Sequence, residues 1–137
     1  MNRVDFQDLA ELRLRESRAL LTGGFPDGAY YLAGYAVECA IKACIAKRTQ
    51  EHDFPEKESS RYYDHNFGKL LGYARLSIEW NEAIQVSPAM KASWDIVRNW
   101  SEESRYEKKK TLQEAQDLLN AIEDRTGGVL PWIRQRW

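Results

Sequence analysis

The chain has 137 residues, 43% hydrophobic and 30% charged, with a formal net charge of −1 and a pI near 6.1. That balance suits one soluble globular domain with a real core and excludes a disordered chain. It also excludes a global basic field for gripping nucleic acid, so any such role falls to a local patch.

The segment MNRVDFQDLAELRL carries charges throughout and reads as the start of a helix, not as a signal peptide. Phe6, Leu9, Ala10, Leu14, Ser17, Leu20 and Leu21 recur at 3.6-residue spacing, predicting a first helix over 5–21. Gly23 and Gly24 end it, and Pro26 suits the first turn of a second helix reaching about Arg48. That helix is apolar nearly all round, which marks it as the central one. Glu38 and Lys42 in its middle would be costly in lipid, so a buried bundle helix is expected rather than a membrane span.

Residues 49–63 are polar and contain Pro55, and read as the longest loop. Asp64 is a candidate N-cap for a short third helix through Leu70, Leu71 and Leu76. A bent piece around Trp80 to Val86 leads to Pro88, where a fourth helix starts with a stripe of Ala89, Met90, Ser93, Trp94, Val97 and Trp100. SEESRYEKKK is a polar connection. Thr111 with Glu114 resembles a capping box for a fifth helix, whose face is Leu112, Ala115, Leu118, Leu119 and Ile122. Residues 127–137 form an aromatic tail. The expected fold is all-α: one domain over 1–137, an antiparallel up-down bundle of four to five main helices with a short C-terminal helical tail.

Glu38 and Lys42 stand i,i+4 in the favourable order. A buried charge needs a partner, and Arg13, a cation on the apolar stripe of the first helix, is the candidate third member of this buried network. His65 follows an acid at a helix start, which leaves both a structural hydrogen bond and a proton-transfer role open. Arg98 and Arg105, with the run Lys108, Lys109 and Lys110, are the best candidates for contact with RNA phosphate. The five tryptophans read as core and interface anchors, because no basic stripe interleaves them. Cys39 and Cys44 lie five apart in one apolar helix, against a mutual disulfide and without a Cys/His cluster for zinc. P-loop, dinucleotide and nucleophile-elbow motifs are missing. No metal and no cofactor are expected, and a reducing cytoplasm is the default location. The apolar surface of the second helix and the tail VLPWIRQRW point to a homodimer.

The stretch GGFPDGAYYLAGYAVECAIKACIAK, followed by a loop and DHNFGKLL, resembles the HEPN family of small all-helical domains. The resemblance implies a bundle that dimerises and a role as a ribonuclease or an RNA- or nucleotide-binding module. It also implies a place in a toxin–antitoxin or defence pair beside a nucleotidyltransferase-type partner protein. Family nucleases carry an Arg and, four to six residues later, a His near the last main helix. Here Arg98 and Arg105 occupy that neighbourhood and no His follows either. A binding module without the nuclease motif is therefore the first expectation. The alternative is a metal-independent endoribonuclease with a non-standard site of Arg98, Arg105, His65 and Tyr106.

Overall fold

The computed structural model describes residues 1–52 and 63–137. Its described residues form seven α-helices and no strand: α1 (Arg3–Thr22), α2 (Pro26–His52), α3 (Phe67–Tyr73), α4 (Ser77–Val86), α5 (Pro88–Val97), α6 (Leu112–Glu123) and α7 (Val129–Arg134). A 3-10 turn, Glu102–Tyr106, interrupts the α5–α6 connection.

Local chemistry sets most of the ends. Asn2 caps α1 in a reciprocal box with Asp5. Gly24 takes φ +85°, a left-handed conformation that suits glycine, so the chain reverses sharply into Pro26 at the start of α2. Ser87 accepts from the Met90 N–H ahead of Pro88. Thr111 and Glu114 cap α6 reciprocally, as their spacing predicts.

Helix α2 is the axis of the molecule, packed by α1, α3, α6, α7 and the 3-10 turn. Nearly every residue from Ala29 to Ile45 is buried. On α1 the predicted stripe faces it: Ala10, Leu14 and Ser17 are fully buried, with Phe6, Leu9, Leu20 and Leu21 packed alongside. The Ser17 hydroxyl donates to the Ala29 carbonyl at 2.6 Å, satisfying a buried polar group across the hairpin.

Several boundaries differ from those expected. Helix α2 runs on to His52, four residues beyond Arg48, because nothing before that point breaks a helix. The rest of the expected 49–63 loop, residues 53–62, lies outside the described residues. Asn66, not Asp64, caps α3, accepting from the Lys69 N–H, while Asp64 accepts from the Asn66 N–H. The bent piece around Trp80 is the regular helix α4. Val129, Leu130 and Ile133 of the tail are buried in the same chain as α2, and Trp132 and Trp137 pack against that core. The apolar surface that motivated the homodimer expectation is thus covered within one chain.

No helix among the described residues is long and apolar enough to cross a membrane.

Candidate functional site

Glu38 is 1% exposed in the centre of the apolar helix. The Lys42 ammonium donates to its Oε1 at 2.7 Å. The second partner is His65, whose Nδ1 lies 3.1 and 3.0 Å from the two carboxylate oxygens. The expected Arg13–Glu38 pair does not form. Arg13 donates to Glu16 one turn along α1, at 2.8 Å to each oxygen, because a surface neighbour at i+3 is reached without dehydrating the guanidinium.

The Glu38–His65 contact fixes the ring. A carboxylate only accepts, so Nδ1 carries the hydrogen, and in the neutral tautomer the lone pair is on Nε2. The buried acid behind the ring holds its orientation. It arises because the capped start of α3 packs its Phe67 into the core while the residue two before it lies over α2.

His65 opens onto a cleft of about 710 Å³ between the segment before α3 and the end of α5. Arg98, the C-cap of α5, lines the same cleft. Its exposed guanidinium makes no hydrogen bond or ion pair with a described residue. Trp94 and Trp100 supply aromatic wall. Trp100 is held by stacking on Phe67, with centroids 5.2 Å apart, and on Tyr31 at 6.1 Å. It also lies directly over Gly34, where a Cβ would come within 2.2 Å of the indole. Asp64 and Glu102 line the cleft too, which makes its charge mixed rather than basic.

The other candidate residues lie elsewhere. Arg105 is exposed beside the Tyr106 ring, 4.8 Å from its centroid. The Tyr106 hydroxyl, and after it that of Tyr31, raise the pKa of Arg105 above the ordinary arginine value. Neither Arg105 nor Tyr106 lines the cleft. Lys108 and Lys109 are exposed. The Lys110 ammonium is engaged, 4.3 Å from the Tyr30 ring centroid and 3.3 Å from Glu107 Oε2. Its backbone N–H donates to Asp27 at 2.8 Å, tying the connection to the start of α2.

Burial pushes the Cys39 thiol up to about 12 and the Cys44 thiol up to about 11, so both stay protonated and unreactive at neutral pH. Among the described residues no group of three His, Cys, Asp or Glu could hold a metal ion.

Sequence reasoning grouped His65 with Arg98, Arg105 and Tyr106 in one alternative site; of these only His65 and Arg98 line the cleft, and its aromatic wall was missed. One signal was present: a buried carboxylate has two oxygens, and Lys42 occupies only one of them.

The family model described as HEPN domain matches residues 5–124. No curated protein and no solved structure matches the chain.

Proposed function

The chain belongs to the HEPN family, whose domains have nucleotide- and RNA-related functions or act as nuclease modules, and on that premise we propose that its cleft binds single-stranded RNA one ribonucleotide at a time. The observation that carries the reading is the meeting of His65 and Arg98 in one cleft from separate elements. Arg98, whose guanidinium has no partner among the described residues, suits a phosphate. Nε2 of His65 accepts from a ribose 2′-hydroxyl. Asp64 and Glu102 also suit ribose hydroxyls and disfavour a string of phosphates, so the mixed charge selects a nucleotide of RNA over a polyphosphate. The exposed Arg105, Lys108 and Lys109 extend the contact to the neighbouring backbone.

Arg98→Ala is expected to weaken binding of single-stranded RNA about ten-fold and to lower the slope of log affinity against log salt by roughly 0.7, the loss of one single-strand phosphate contact. Fluorescence anisotropy over a salt series measures both. Binding unchanged by Arg98→Ala removes the cleft from the reading.

The second reading, a metal-independent ribonuclease, is favoured by one observation, the Glu38-oriented His65 in one cleft with Arg98. A base at Nε2 takes the 2′-hydroxyl proton while the guanidinium offsets charge on the phosphorane. Incubation of single-stranded and transfer RNA decides between them. The binding reading expects intact RNA. Cleavage by wild type that falls about 10²–10⁴-fold in His65→Ala puts the enzyme first.

A place in a toxin–antitoxin or defence pair with a nucleotidyltransferase-type partner is supported by the family alone. A homodimer would use the exposed apolar side chains of α4, Ile78 and Val86, since α2 and the tail are already covered. Light scattering is expected to give twice the 16.0 kDa chain mass, and Ile78→Glu to return the monomer. A wild-type monomer at high concentration overturns this.

A further inference from the structure

We propose that a second cavity, between the first turns of α1 and the far half of α2, binds a carboxylate or sulfonate carried on an apolar body. The cavity measures about 620 Å³, within the range of small-molecule sites. Its wall is largely apolar, with Phe6 from α1 and Tyr35 and Ala46 from α2. Two cations stand in that wall, Arg3 and Lys42.

Among the described residues, both have unmet hydrogen-bonding capacity. Lys42 is 8% exposed, and its ammonium has three donors, of which one bonds Glu38 among the described residues. Arg3 Nε is buried and without a hydrogen-bond partner. Buried donors left unpaired are costly, and an anion at this wall takes up the spare Lys42 donors and offsets the Arg3 charge. Glu38 does not fill this role, because its oxygens are already engaged by Lys42 and His65. Phe6, Tyr35 and Ala46 demand an apolar body behind the charged head and discriminate against a bare phosphate or a nucleotide. A ligand head at Lys42 lies one carboxylate away from His65, since Glu38 bonds both. Occupation of this cavity therefore alters the environment of the imidazole in the other cleft.

The test uses the full chain with decanoate as the probe and decanol as its uncharged match, titrated calorimetrically. Decanoate is expected to bind one per chain, about ten-fold more tightly than decanol, the difference a charged hydrogen bond makes. Arg3→Gln is expected to remove most of that preference, and Ala46→Phe, which fills the cavity from its wall, to abolish binding while the protein still unfolds cooperatively. The imidazole nitrogen resonances of His65, assigned by their loss in His65→Gln, are expected to shift on adding decanoate to wild type and not to Ala46→Phe. Decanol binding as tightly as decanoate, binding unaffected by Arg3→Gln or Ala46→Phe, an unmoved His65 signal, or no binding at all overturns the proposal.

Discussion

Glu38→Gln is expected to destabilise the protein by about 3 kcal/mol, the scale of removing one side of a buried ion pair, and to lower the melting temperature by about 10 °C for a chain of this size. The substitution keeps shape and a carbonyl acceptor. What it removes is the charge that compensates Lys42, whose side chain is 10% exposed and 2.7 Å away. An orphaned ammonium inside a helix packed on most sides has no second anion among the described residues. The control is Glu38→Gln combined with Lys42→Met, which removes the stranded charge and replaces it with an apolar chain of similar length. That pair is expected to recover at least half of the lost stability, because a buried pair is often no more stable than its apolar replacement. Thermal unfolding followed by circular dichroism measures both. Glu38→Gln melting like wild type would refute the buried-pair account. The same variant is expected to broaden or shift the His65 imidazole resonances, since the ring loses the carboxylate that orients it.

Gly34→Ala is the second large effect, and two physical terms oppose each other there. Alanine in place of glycine inside a helix ordinarily gains about 1 kcal/mol. At Gly34 the new Cβ would stand 2.2 Å from three atoms of the Trp100 indole. Retreat of the ring breaks its stacking on Phe67, with planes 6° apart, and on Tyr31 on α2. Overpacking of this kind costs about 1–3 kcal/mol, and a contact this short belongs at the upper end. Steric cost wins, and a net loss of about 2 kcal/mol is expected. Because Trp100 forms part of the cleft wall, RNA binding should weaken along with stability. Gly34→Ala with Trp100→Leu should regain stability relative to Gly34→Ala alone, as the clash disappears. A Gly34→Ala variant more stable than wild type would show that propensity, not packing, governs the position.

These two positions mark the boundary of what a one-dimensional reading reaches. Where one turn of backbone decides the outcome, the sequence alone was sufficient. The α1 stripe from Phe6 to Leu21 is buried as its spacing predicts. Pro26 opens α2, Ser87–Pro88 opens α5, and Thr111–Glu114 caps α6, because each signal acts over three or four residues. The Glu38–Lys42 contact was legible for the same reason, at i,i+4 on one helix. The family, too, was legible from the α2 stretch and the segment before α3.

The rest depended on packing between distant segments. Arg13 had two acids within possible reach, and its own helix supplied the cheaper one, Glu16. His65 took the place assigned to Arg13 because α3 packs its N-terminal end over α2, a contact across 27 residues that no local pattern encodes. The same packing brings His65 into one cleft with Arg98, which Arg105 and Tyr106 do not line. Lys110 stood with Lys108 and Lys109 as a candidate phosphate contact, yet Tyr30 and Glu107 hold it. Composition and periodicity determine which faces are buried. Only the tertiary structure decided which charges meet, because the direction of a long polar side chain is set by the nearest partner that the packed backbone offers, at whatever distance along the chain.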